Sequence, residues 1–236
     1  MHIGRNRYNS HAGIPQGSTN DLGDSLAFYL QHNVGITAAQ WNDQSVNNNH
    51  VTQSTSGDQA AVSNGGLDFE SSEADHYDFT SQIEISEEEG FILFIVCEVE
   101  SISTNMCILG LNNANHFLQL VAGGDNISIK LSGTNTTITP SVTNQFTASE
   151  GKFLLLLQRE AGGTGNLNLY KNGVIVAQGS QAANTGDGEF AALGVRNADR
   201  YFDGVIYDVA LVQGGAANKD VINRTTAYLK SKHGLN

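Results

Sequence analysis

From Leu26 onward the chain reads as short apolar runs separated by clusters of Gly, Asn, Asp and Ser, the pattern of consecutive β-strands. The clearest alternation is FILFIVCEVE at 91–100. Phe91, Leu93, Ile95, Cys97 and Val99 form one apolar face, while the other face changes from Ile92, Phe94 and Val96 to Glu98 and Glu100. This predicts a central strand whose second face emerges into a groove. MCILGL, HFLQLVA, NISIKLS, KFLLLLQ from Lys152, EFAALGV and YFDGVIYDVALV read as further strands. In NLNLYKNGVIVAQ, Asn172-Gly173 can supply the positive φ angles of a type I′ turn, so a hairpin is expected.

Gly214 and Gly215 end the strand pattern, and a single helix follows. Asn218 is placed to cap it, with Asp220 in its first turn and Val221, Ile222, Tyr228 and Leu229 available to pack. Lys230, Lys232 and His233 suit its C-terminus and Gly234 the left-handed position that closes it. About ten or more strands with one terminal helix predict an all-β, two-sheet antiparallel β-sandwich over residues 25–236. Residues 1–24 contain little to bury and read as an arm, with Arg5 and Arg7 as its partner-binding cations.

Composition narrows the partners. Twenty-four acidic residues against twelve basic ones give a formal net charge of -12, which repels phosphate backbones and anionic lipid, so neither nucleic acid nor membrane is an expected partner. No run is long and apolar enough to span a bilayer, and the opening segment lacks the apolar stretch of a secretory signal. The sequons at Asn126, Asn135 and Asn223 would matter only in a secretory pathway. Cys97 and Cys107 could meet across a hairpin turning near Ser101 to Asn105, although two buried free thiols are the favoured reading.

Candidate chemistry is sparse. The seven His residues are scattered without zinc spacing, and His50 reads as a loop brace. GGTG at 162–165 lacks the Lys-Ser/Thr of a phosphate loop and reads as a turn. Acidic loops containing Glu70, Glu73, Asp75, Asp78, Asp199 and Asp203 could offer oxygens to calcium, with Glu70, Asp75 and Asp203 as the chosen ligands; structural turns are the favoured alternative, and no cofactor is expected. Trp41, Tyr77 and Tyr201 are the aromatic candidates for stacking against a sugar, with a core role favoured for Trp41.

The run GITAAQWNDQSVNNNHVTQ (35–53) resembles the opening motif of concanavalin A-like, laminin-G-type domains, W-x-D-Q-S-G-N-x-x-H-x-x-Q. GGLDFESSEADHYDF, the NLNLYKNGVIVAQ hairpin and FDGVIYDVALV followed by a helix match in the same order, so the resemblance spans roughly residues 25–234. It implies a jelly-roll sandwich but not one function, since lectins, adhesins, glucanases and virion parts share that fold. Two departures, Val46 for the usual turn Gly and Phe69-Glu70-Ser71-Ser72-Glu73 for F-D-G-x-D-D, put an inherited calcium site in doubt. The glucanases of this fold carry E-x-D-x-E on one strand, whereas Glu98 and Glu100 lie in CEVESIS without the central Asp, and Glu84 and Glu87 to Glu89 lie in a polar turn; no enzyme is expected.

The GRNRY arm resembles the beginnings of small structural proteins of marine tailed phages. That resemblance implies a virion component, a capsid decoration or fibre-associated protein, present in many copies or as a homo-oligomer, assembled in the host cytoplasm and held to other virion proteins by the arm. The alternative is an adhesin module that binds host or surface glycans.

Overall fold

Both faces of the 91–100 run find apolar cover, and two separate cores explain how. The computed structural model describes residues 25–111, 116–124, 126–131, 136–138, 145–148, 150–162, 165–180 and 187–236. The arm at 1–24 and the sequon at Asn135 lie outside these residues. Within them the strands, in chain order, are β1 (Leu26–Leu30), β2 (Ile36–Thr37), β3 (Gln40–Trp41), β4 (Val51–Thr52), β5 (Ala61–Ser63), β6 (Gly66–Phe69), β7 (Tyr77–Ile85), β8 (Phe91–Val99) and β9 (Met106–Gly110). They continue as β10 (His116–Leu120), β11 (Ile127–Leu131), β12 (Thr136–Ile138), β13 (Phe153–Arg159), β14 (Asn166–Lys171), β15 (Val174–Ser180), β16 (Gly188–Leu193) and β17 (Gly204–Gln213). A helix, α1 (Lys219–His233), follows. It is not long and apolar enough to cross a membrane.

The strands form two antiparallel sheets. One runs β15-β14-β13-β8-β17-β6-β5, with β1 also paired to β17; the other runs β12-β11-β10-β9-β16-β7-β4-β3-β2. Odd residues of β8 fill the space between the sheets with Phe28, Phe69, Leu109, Leu118, Ile129, Leu155 and Phe190. Ile92, Phe94 and Val96 point to the outer side, where Val221, Ile222 and Leu229 of α1 cover them together with Leu154, Leu156 and Val212. The second face of β8 is therefore a core under the helix rather than a groove floor, and only Glu98 beyond it is partly exposed. Three-residue and four-residue steps along α1 place its buried side chains on this one stripe.

The helix is bounded as its sequence predicts. Asn218 Oδ1 accepts from Asp220 N (3.1 Å) and Val221 N (3.2 Å). Gly234, at φ 65, donates to Lys230 O at the other end. The hairpin is equally close to expectation: Lys171 pairs with Val174, and Asn172 and Gly173 take φ 50 and φ 83. Gly165 N donates to Gly162 O (2.8 Å), and residues 163–164 of the expected GGTG turn lie outside the described residues. The Cys97–Cys107 hairpin is not found. Cys97 lies on β8 and Cys107 on β9, in opposite sheets, and both are free, buried thiols whose ionisation burial pushes upward.

Candidate functional site

The 35–53 run forms a clamp around Asp43, which is 5% exposed. Its Oδ1 accepts from Tyr29 N (2.7 Å) and Ser45 N (2.8 Å), and its Oδ2 from Ser45 Oγ (2.6 Å) and Asn49 N (2.8 Å). Asn47 and Asn49 donate their amides to Leu26 O (2.9 Å) and Ala27 O (2.8 Å), so the loop holds β1 of one sheet against the other. His50 Nδ1 accepts from Asp43 N (3.0 Å), which is the loop brace expected of it. The left-handed residue here is Asn48 (φ 54), so Val46 needs none of glycine's freedom.

Two of the three aromatic candidates belong to this framework. Trp41 is fully buried and donates its indole N–H to Gln31 O (3.0 Å). Tyr77 is also fully buried, with its hydroxyl on Ala38 O (2.6 Å). Neither ring offers a face to a sugar: Trp41 has the core role favoured for it, and Tyr77 is corrected as a stacking platform. Tyr201 is half-buried and reaches a shallow cleft of about 110 Å³ that it shares with His76, Asp78 and Ala198, its ring 6.1 Å from that of His76.

The acidic loops converge differently from the expected calcium set. Asp75 is buried within its own loop, where its Oδ2 accepts from Glu70 N (2.8 Å), and Asp203 Oδ2 accepts from the Ser71 hydroxyl. The carboxylates that do meet are Asp68, Glu70 and Glu100, with oxygens within 4.8 Å of one another. The β-register explains the approach, because Val205 stands beside Asp68 on one side and Glu98 on the other, and Glu100 N donates to Asp203 O (3.1 Å). Of the original three only Glu70 is in the group. Three carboxylates are donors of the kind a hard cation takes, and Asp68 Oδ1 is buried with no hydrogen-bond partner among the described residues.

Burial first, and then repulsion from neighbouring acids, raises all three carboxyls above their ordinary values. Asp68→Asn should accordingly stabilise the chain modestly at neutral pH in chelator-containing buffer, since it removes a charge that burial and neighbouring acids disfavour and that solvent only partly screens. Chemical denaturation of the variant beside the parent checks this. A loss of stability would mean that the Asp68 carboxylate has a stabilising partner.

The more substantial concavity is a groove of about 510 Å³ between the β14–β15 hairpin and α1. Tyr170, Asn172, Gly173 and Val174 form its strand side; Lys219, Ile222, Asn223, Thr226, Ala227 and Lys230 form its helix side. Those six recur at three- and four-residue spacing, a second stripe of α1 beside the one that packs on β8. The junction is fixed. Asn172 Oδ1 accepts from Leu154 N (2.8 Å), and Lys230 Nζ donates to Asn172 O (3.0 Å). Gly173 lies so close to the helix that a Cβ there would stand 2.9 Å from Thr226 Cγ2. Tyr170 is held by its hydroxyl on Gln158 Oε1 (3.4 Å). Along the lip Val174 and Ile175 are 65% and 45% exposed.

Sequence reasoning missed this groove because it assigned α1 a core stripe and a cationic end and left the third face unread. The hint was present in the spacing of Lys219, Asn223, Thr226 and Lys230. Glu98 accepts from Tyr207 OH (3.2 Å), and neither it nor Glu100 lines the groove or the Tyr201 cleft.

No protein-family model matches the sequence, and no curated protein is significantly similar to it. Solved structures do resemble the fold. The binding domain of Paraclostridial Mosquitocidal Protein 1 superposes with a TM-score of 0.56 at 17% identity, over 88% of this chain and 53% of that one. Botulinum neurotoxin type C, reported for its dependence on interaction with two ganglioside molecules, gives 0.55 at 15% identity, over 90% and 53%. Trypanosoma rangeli sialidase gives 0.59 at 12% identity, over 95% and 35%. The likeness is one of fold. The chain spans about half the length of the two toxin chains and about a third of the sialidase chain.

Proposed function

We propose that this chain is a non-catalytic carbohydrate-binding β-sandwich, a module that engages surface glycans in the groove between the β14–β15 hairpin and α1. The groove itself carries the reading. Its volume lies within the range of small-ligand sites, and it combines an apolar lining from Tyr170, Ile222 and Val174 with amide and ammonium groups that can read hydroxyls. Both walls are regular elements joined by hydrogen bonds, so little ordering cost falls on binding. That similarly folded chains include toxin binding domains, one reported with interactions to gangliosides, supports the class of ligand.

A glycan array probed with the full chain, followed by calorimetry on the hits, tests the proposal. Binding to a subset of glycans should weaken about tenfold in Asn223→Ala, the cost of one or two lost hydrogen bonds, with melting temperature unchanged. Glycan binding that Asn223→Ala and Lys219→Ala leave intact would place the site elsewhere, and an array without hits would remove the proposal. Reducing ends should not rise above a buffer control on any bound polysaccharide. The virion reading is a separate proposal that rests on Arg5 and Arg7 and the resemblance of the arm; it is tested by whether deletion of residues 1–24 abolishes incorporation into particles.

A further inference from the structure

We infer that the groove selects anionic oligosaccharides, those bearing carboxylate or sulfate groups, through Lys219 at one end and Lys230 at the other. The inference rests on the groove being a carbohydrate site and adds the class of sugar. Its basis is where the chain leaves positive charge uncompensated. With a formal net charge of -12, acids outnumber cations, and several cations pair with one. Lys171 pairs with Glu150, Lys232 with Asp208, Arg200 with Asp199 and Arg224 with Asp220, while Lys152 lies 3.5 Å from the centre of the Tyr207 ring.

Lys219 and Lys230 are the exceptions that line a cavity. Neither is ion-paired among the described residues, and Lys230 uses one donor on Asn172 O, which leaves two of its three N–H groups for a ligand. Asp220, next to Lys219, is drawn into its pair with Arg224 (3.1 Å), so it does not neutralise the groove end. The chain as a whole repels anions, so the two ammonium groups facing one groove make that groove the place where an anionic ligand meets local positive charge.

The spacing adds a length requirement. Eleven residues of helix separate the two lysines by about 16 Å along the axis, a distance that an oligosaccharide bridges and a monosaccharide does not. Between them Asn223 offers its amide, and Ala227 with the edge of Ile222 an apolar strip for the C–H faces of the rings. A small inorganic anion would meet one lysine at a time and leave that strip bare.

Isothermal titration of the bacterially expressed chain with trigalacturonate, a sulfated galactotriose, sialyllactose and neutral galactotriose tests this. The anionic trisaccharides should bind at least about tenfold tighter than the neutral one, with affinity falling as salt rises, and galacturonate monomer should bind far more weakly than trimer. Lys219→Gln should remove most of the anionic preference, and Lys219→Arg should retain it. Lys230→Gln should act the same way; because Lys230 also braces the hairpin, the exposed Lys219 variant is decisive if that one loses stability. Galacturonate, sulfate and sialic acid arms identify which anionic sugar is preferred. Equal affinity for the neutral trisaccharide, or a preference untouched by Lys219→Gln, overturns the inference while leaving a carbohydrate site standing. Binding of none of the four removes both.

Discussion

Replacing Asp208 by alanine is expected to cost about 3–5 kcal/mol of stability, because it strands buried positive charge. Asp208 lies on β17 and is 1% exposed. Its carboxylate accepts from Lys232 Nζ at 2.9 and 3.0 Å, from His233 Nε2 and from His32 N at 3.1 Å. Lys232 also reaches the Tyr29 hydroxyl (3.3 Å). One side chain thus ties the last turn of α1 to the central strand of its sheet and to the segment that follows β1. Chemical denaturation of Asp208→Ala checks the magnitude. The double variant Asp208→Leu/Lys232→Met should recover much of the loss, since apolar replacements leave no unpaired charge; a double variant as unstable as the single one would show that the hydrogen bonds, and not the stranded charge, set the cost.

The same group sets part of the acid sensitivity. Burial pushes the Asp208 carboxyl up, but the His233 hydrogen bond and the Lys232 ammonium together outweigh it and hold it below the usual carboxylate range. Its stabilisation is therefore full above about pH 4 and is lost as pH falls through the depressed value. His32 and His116 are lowered, chiefly by burial, so the unfolded chain takes up their protons first as pH drops below about 6.5. Both effects have one sign. Stability should decline steadily from near pH 6.5 toward pH 4, and a denaturation series flat over that interval would contradict the assignment. The raised carboxyls of Asp68, Glu70 and Glu100 act oppositely near their own titration, but they are largely exposed and solvent screens them.

Trp41→Ala should be comparably severe, about 3–5 kcal/mol, since it empties a fully buried indole site where β2, β3 and β4 meet. Trp41→Phe should cost less: it keeps most of the ring volume and loses the hydrogen bond to Gln31 O, worth about 1 kcal/mol. Glycan affinity per folded molecule should be unchanged in both. A folded Trp41→Phe protein that no longer binds glycans would restore the indole as a sugar platform.

These residues show what was legible in the sequence. Period-two runs, the Asn172-Gly173 turn and the Asn218 and Gly234 caps are local signals, and the structure forms them where the sequence predicts. The 35–53 run also announced the fold, because its hydrogen bonds lie mostly within one loop. Sites are less legible because they depend on which distant segments meet. Trp41 and Tyr77 have the composition of a sugar platform and the location of core residues. Glu70 finds Asp68 and Glu100 only through the β6–β17–β8 register, and the groove exists only because the hairpin turn rests on α1, where Lys230 meets Asn172 across 58 positions.

The position of β17 carries a consequence for how the protein is made. It lies between β8 and the β1–β6 side of its sheet, yet among the described strands it comes last in the order of synthesis. The bond from His32 to Asp208 spans 176 positions, so β1 and the segment after it wait for β17 to find their partner in this sheet. Until β17 emerges from the ribosome, β8 must wait with its apolar faces half-covered, a burden on chaperones that grows with the time spent on the segment between β8 and β17. Synonymous codons that slow elongation ahead of Gly204 should lower soluble yield, and the finished protein should be identical in sequence and stability.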